Sequence, residues 1–174
     1  RTMRGELDFE SSLRKRVSLL EGLPVSVFDK VFNSIHLTPN AQEFISILQK
    51  NGILVGLLSG GFTPIVARLA KSLGIAYFSA NQLEVKEGLL TGKLVGQIIN
   101  PEVKKDTLEQ WREELKLSKD RTVAIGDGAN DLLMLKSAGL GIAFCAKEVL
   151  KQEIPNHIDK RDFLEVLSLI DCLE

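Results

Sequence analysis

Cysteine is scarce in this chain: there are two in 174 residues, Cys145 and Cys172, far apart and without metal-type spacing. That rules out a disulfide framework and a Cys-based zinc site, and it reads as two reduced thiols. No apolar run approaches the ~20 residues that a bilayer span needs, and no stretch has the pattern of a signal peptide. Charge of one sign is lacking too. The 22 Lys and Arg and 23 Asp and Glu residues are mixed along the chain, for a net charge of −1. Nothing in that balance calls for a nucleic-acid or membrane-surface partner. There are no internal repeats and no low-complexity segments. Several catalytic signatures are missing: no Gly-Lys-Ser/Thr of a Walker loop and no Gly-x-Ser-x-Gly elbow. His36 and His157 are isolated from cysteine and carboxylate clusters, so no Ser/His/Asp or Cys/His triad can be assembled. The expected setting is the cytoplasm.

What is present is ordinary for a globular domain: 44% hydrophobic and 26% charged residues. The length allows one domain, or one domain with a small insert. Residues 6–36 carry apolar positions at three- and four-residue steps (Leu13, Val17, Leu20, then Val27, Phe28, Val31, Phe32, Ile35). Gly22-Leu23-Pro24 divides them into two helices, with Ser26 as a candidate cap. From residue 41 onward helix and strand alternate. Helices are expected over 41–50, from Pro64 to Leu73, and from Pro101 to Leu115. Strands are expected at 53–58, 75–78, 123–125 and 140–144. Residues 83–98 alternate and turn at Glu87-Gly88, the pattern of a β-hairpin. A short helix near 147–152 and a terminal helix from Arg161 to Leu173 close the chain. The order predicts an α/β fold with a doubly wound, Rossmann-like, mostly parallel sheet.

Three stretches carry chemistry. Residues 122–135 place Gly126-Asp127-Gly128 and then Asn130 and Asp131 where a strand ends and a helix begins. In open parallel sheets, ligands bind at that end of the strands. Two readings fit: a tight turn with an Asn or Asp cap, or an oxygen-ligand corner for a hard cation such as Mg²⁺. Three polar residues within five positions favour the second, because a cap needs only one. Ser59-Gly60-Gly61 sits between a strand and a helix. It reads either as a capped turn or as a phosphate seat of one hydroxyl and free backbone N–H groups. Lys104 and Lys105 lie near the start of a helix, where cations oppose the macrodipole. They form a solvated pair, or one of them serves a phosphate. Arg14, Lys15 and Arg16 cannot all face one way, since each helical step turns by roughly 100°.

With these residues on one chain, in that order, the sequence resembles the haloacid-dehalogenase-like (HAD) hydrolase superfamily, and within it the phosphoserine phosphatases. The likeness runs nearly end to end and includes residues 3–16, Leu90-Thr91-Gly92 and residues 138–143. It implies that residues 1–37 are part of a helical cap and residues 38–174 the HAD-type core. It implies Mg²⁺ ligated by Asp127, with Asp131 supporting the metal's water. Ser59 and Gly60 would hold phosphate oxygens, Lys104 would neutralise charge, and Asn130 would contact the phosphate. Arg16 would pair with the substrate carboxylate, with Met3 and Phe9 packing beside it. The implied reaction is hydrolysis of O-phosphoserine to serine, the last step of serine biosynthesis, by a monomer or homodimer with no nucleic-acid or membrane partner.

The superfamily's nucleophile and general acid lie in an Asp-x-Asp-x-Thr motif on the first strand, and no Asp-x-Asp pair occurs in these residues. The chain begins at Arg1, inside the cap, so that strand is expected upstream and no turnover is expected without it. Other readings keep the fold: a phosphatase or phosphotransferase for another small phosphomonoester, or a non-catalytic homologue that binds a ligand or partner.

Overall fold

The computed structural model describes residues 2–170, with every side chain among them from Asp8 onward. Packing divides the chain into two compact units, Arg1–His36 with Val55–Asn100, and Leu37–Leu54 with Pro101–Glu174. These units cut across the assignment of cap and core, which concerns roles and not packing.

The first unit opens with two helices, α1 (Thr2–Ser18) and α2 (Val27–Ser34), broken at Gly22-Leu23-Pro24 as the sequence predicts. Ser26 precedes α2, but its hydroxyl makes no capping bond. Leu13 and Val17, one turn apart on α1, are buried with Ile98, and Phe9, Phe62, Leu83 and Leu94 pack around them. Strands β1 (Gly56–Phe62) and β2 (Tyr77–Lys86) are parallel, and α4 (Thr63–Ser72) connects them. β3 (Leu89–Val95) returns antiparallel to β2. The turn falls at Glu87-Gly88, where both residues have left-handed backbone, φ 53° and 77°. That is the primed hairpin geometry that follows strand twist. The hairpin is tied to the helices through Gly22 N–H to the Leu90 carbonyl, 2.8 Å, and Val25 N–H to the Gly88 carbonyl, 2.9 Å.

Two strand boundaries differ from the sequence reading. β1 begins at Gly56 and runs through Ser59-Gly60-Gly61 to Phe62, so those residues lie within the strand and do not end it. Leu58 pairs with Ser79 and Phe62 with Asn81, which sets four steps on β1 against two on β2. The surplus residues form a bulge, which side-chain-free glycines accommodate. β2 extends ten residues from Tyr77, because the short strand expected at 75–78 continues unbroken into the hairpin.

The second unit holds α3 (Ala41–Lys50), stopped by left-handed Gly52, and then α5 (Pro101–Glu114), which carries the half-buried Trp111. Three parallel strands follow: β4 (Val123–Gly126), β5 (Leu140–Phe144) and β6 (His157–Ile158), with α6 (Leu132–Ser137) and α7 (Glu148–Glu153) between them. Gly141 is required here, since a Cβ would lie 2.3 Å from the Leu135 carbonyl of α6. The expected terminal helix is a 3₁₀ helix over Phe163–Leu169. Its apolar residues repeat every third position (Phe163, Val166, Leu169 and Leu164, Leu167, Ile170), which matches three residues per turn. Asp162 caps it by accepting from Leu164 N–H at 2.9 Å. Phe163 is stacked between Phe44 and Phe144, with ring centroids 5.4 and 4.4 Å away. Residues 171–174, including Cys172, lie outside the described part.

Candidate active site

The second unit builds a charged corner from three segments. Strand β4 ends at Gly126, and the chain turns through Asp127-Gly128 into a 3₁₀ turn, Ala129–Asp131, that leads into α6. Asp131 folds back over that turn. One carboxylate oxygen accepts from Asp127 N–H at 3.1 Å and from Gly128 N–H at 3.3 Å. The other accepts from Lys104 Nζ at 2.7 Å. Lys104 reaches it from the first turn of α5, and both residues are buried, 5% and 7% exposed. Lys105, its neighbour, is solvated and lies 3.9 Å from Glu109. The pair at 104–105 thus divides: one lysine faces the corner and the other faces water.

Burial makes this contact strong and unforgiving. A desolvated ion pair is sustained only when further hydrogen bonds satisfy its remaining atoms, and here two backbone N–H groups do so. Gly126 is part of the design. A Cβ on it would come within 2.6 Å of the Asp131 side chain. A Cβ on Gly128 would lie 2.7 Å from the Asn130 amide oxygen. Both glycines leave room for polar side chains to fold onto the loop.

Asp127 differs from Asp131. Its carboxylate is exposed and has no hydrogen bond or ion pair among the described residues. No three His, Cys, Asp or Glu side chains among the described residues are gathered as a metal-binding set. A small hard cation needs no such set, since Mg²⁺ keeps several waters and takes one or two carboxylates plus phosphate oxygens. The exposed Asp127 carboxylate, with neither oxygen engaged among the described residues, fits one such position. Asp131, with both oxygens engaged, fits a place behind the metal's water.

The first unit holds the other candidate seat. Ser59 Oγ accepts from Gly61 N–H at 2.9 Å, inside the β1 bulge. Behind it lies Asn81, which the sequence reading missed. Asn81 is fully buried, donates from Nδ2 to the Gly60 carbonyl at 3.0 Å and accepts at Oδ1 from Ile99 N–H at 2.8 Å. The available signal was an amide in an otherwise alternating strand, which by itself reads as an outward-facing residue. On α1, Arg16 is exposed, and Phe9 is half-buried against Leu13 and Val17. The side chain of Met3 lies outside the described residues. The structure therefore brings together Lys104, Asp127, Asn130 and Asp131 in one unit. Ser59, Gly60, Phe9 and Arg16 belong to the other.

The haloacid dehalogenase-like hydrolase family matches residues 2–136, and the chain belongs to that family. Its relatives narrow the class. A phosphoserine phosphatase of Lactococcus lactis subsp. lactis (strain IL1403) is 50% identical over 171 residues, spanning 98% of this chain and 79% of that protein. One from Methanocaldococcus jannaschii is 45% identical over 168 residues, spanning 97% of this chain and 80% of its own. Among solved structures, a phospho-aspartyl intermediate analogue of phosphoserine phosphatase superposes with a TM-score of 0.89 at 44% identity, covering 97% of this chain and 81% of that one. A substrate-bound phosphoserine phosphatase complex gives 0.90 at 44% identity, covering 96% and 80%. Among the described residues, no helix is long and apolar enough to cross a membrane.

Proposed function

We propose that these residues form the body of a phosphoserine phosphatase, which hydrolyses O-phosphoserine to serine and phosphate in a Mg²⁺-dependent, cytoplasmic reaction. The observation that carries this is the buried Lys104–Asp131 pair clamped onto the Asp127 loop, in a chain half identical to an enzyme of that name. Phosphoryl transfer asks a protein mainly for positioning and charge stabilisation. Lys104 supplies a fixed cation at the corner, and Asp131 holds it there. Asp127 offers a carboxylate to Mg²⁺, which when bound neutralises phosphate charge. Ser59 and Gly60 would hold phosphate oxygens, and Asn130 would contact the phosphate. Residues 1–37 act as cap and residues 38–174 as core in this reading. Arg16, an exposed guanidinium on α1, would pair bidentately with the substrate carboxylate, flanked by Phe9 and Met3. The enzyme is a monomer or a homodimer acting on a small molecule.

The related structure's phospho-aspartyl analogue implies an attacking aspartate. No Asp-x-Asp pair occurs in residues 1–174, so the nucleophile and general acid would come from outside them. The test is a phosphate-release assay with O-phosphoserine and Mg²⁺, run on residues 1–174 and on a form extended upstream in the coding sequence. The extended form turns over, and chelation of Mg²⁺ abolishes its activity. The 174 residues alone do not. Robust turnover by the short form would overturn the assignment of the nucleophile. Arg16→Ala in the extended form raises KM for phosphoserine more than for phosphoethanolamine, which lacks the carboxylate. An equal rise for both would point to another phosphomonoester as substrate.

A further inference from the structure

We infer that Asn81 is a positioning residue that sets the hydroxyl of Ser59 as a donor to a phosphate oxygen. The inference rests on the proposed role of Ser59 and Gly60 as a phosphate seat. Four hydrogen bonds, all within the first unit, carry it. Ile99 N–H donates to Asn81 Oδ1 at 2.8 Å, which fixes which end of the amide is oxygen. The amide nitrogen is thereby turned to the Gly60 carbonyl, 3.0 Å away. The Gly60 carbonyl and the Gly61 N–H belong to one planar peptide unit, so holding the first aims the second. The Gly61 N–H donates to Ser59 Oγ at 2.9 Å. With an incoming donor on its oxygen, the Ser59 hydroxyl turns its own proton elsewhere, toward an acceptor. Thr63, the first residue of α4, donates its hydroxyl to the Asn81 carbonyl at 3.1 Å and ties the next helix to the same point.

The setting explains why the seat needs such a device. Gly60 and Gly61 lie in a bulge, where the regular ladder to β2 is interrupted between Leu58 and Phe62. Neither glycine has a side chain to hold the peptide plane. Asn81 is completely buried and has both side-chain groups satisfied, so it is oriented without help from solvent. A carboxylate of the same shape at this position would still accept from Ile99 N–H. Its second oxygen, however, would face the Gly60 carbonyl, acceptor against acceptor, and turn the peptide away. Protonation restores a donor at that place.

The experiment is a titration of the form extended upstream in the coding sequence with orthophosphate in the presence of Mg²⁺, followed by amide shifts of Ser59, Gly60 and Gly61. It is run on the native protein, Ser59→Ala and Asn81→Asp across a range of pH. The expected result has three parts. Ser59→Ala abolishes the binding. Asn81→Asp weakens it about tenfold at neutral pH, the effect of losing one buried hydrogen bond. The ratio of native to Asn81→Asp affinity then narrows as pH falls and the introduced carboxyl takes up a proton. If Asn81→Asp binds like the native chain while Ser59→Ala does not, the role of Asn81 is overturned and the seat stands. If Ser59→Ala binds like the native chain, or the native chain takes up no phosphate, the seat falls and Asn81 with it. Should Asn81→Asp fail to fold, the native protein decides. The Asn81 side-chain amide resonances shift with the same midpoint as Gly61 during the titration, because linked hydrogen bonds polarise one another. Movement of Gly61 with a stationary Asn81 amide would overturn the inference.

Discussion

At the scale of single residues, the corner around Asp131 is the place where one atom matters most. Lys104 and Asp131 are both desolvated, so removing either leaves the other charged, buried and unpaired. Asp131→Asn and Lys104→Met should each destabilise the fold by about 3–5 kcal/mol. The double variant should cost less than the two added together, and urea unfolding of all four proteins measures the coupling. Additive losses would show that the pair does not interact energetically. The residues of this corner differ in how far the sequence revealed them. Asp127, Asn130 and Asp131 stand within five positions, so their convergence is local and readable. Lys104 lies 27 residues from Asp131, and the two are connected by their order on successive α/β units and by the family likeness, not by local spacing. Asn81 gave no usable sign. Its partners, Gly60 and Ile99, are 21 and 18 residues away, and a strand amide acquires meaning only when the fold encloses it.

At the scale of elements, the hairpin turn was legible because Glu87-Gly88 stands between two alternating runs. The turn is not optimal. Glu87 occupies left-handed backbone, φ 53°, a region that a β-carbon disfavours and that asparagine tolerates better. Glu87→Asn should therefore stabilise the protein by about 0.5–1 kcal/mol, read as a higher Tm with unchanged phosphate binding. A lowered Tm would mean that the glutamate side chain contributes a contact of its own. Elements with ambiguous periods were read less well. The last segment, from Phe163, has apolar residues that suit either an α-helix or a 3₁₀ helix. The choice is made by packing: the Phe44–Phe163–Phe144 stack and the Asp162 cap fix its start. The shift in β1 has a similar origin, since a glycine pair after an apolar run reads as a strand end unless a bulge carries the pairing onward.

At the scale of the whole chain, surface charge has a direction. The Asn40 amide and the Leu164 N–H lower the Asp162 carboxyl below its ordinary range. Lys151 does the same for Asp159, and Lys136 for Glu153, while Asp159 raises Lys151. A carboxyl lowered in the folded state contributes stability above its unfolded pKa of about 4 and loses it as pH falls through the folded value. A raised lysine contributes below its unfolded pKa of about 10.4 and loses it as pH rises through the folded one. Stability should thus be flat near neutrality and decline at both extremes. Asp162→Asn should flatten the acid limb, with Tm recorded against pH. An acid limb unchanged by that substitution would assign the loss to other carboxyls. All four groups belong to the second packing unit. The division into units also has an optical meaning. The chain has one tryptophan and one tyrosine. Trp111 lies in the second unit and Tyr77 in the first, so residues 1–174 carry one intrinsic fluorophore for each. Exciting the indole alone follows one half of the molecule, and the phenol's absorbance follows the other. Whether the two curves coincide tells, without any added label, whether the halves lose their structure together.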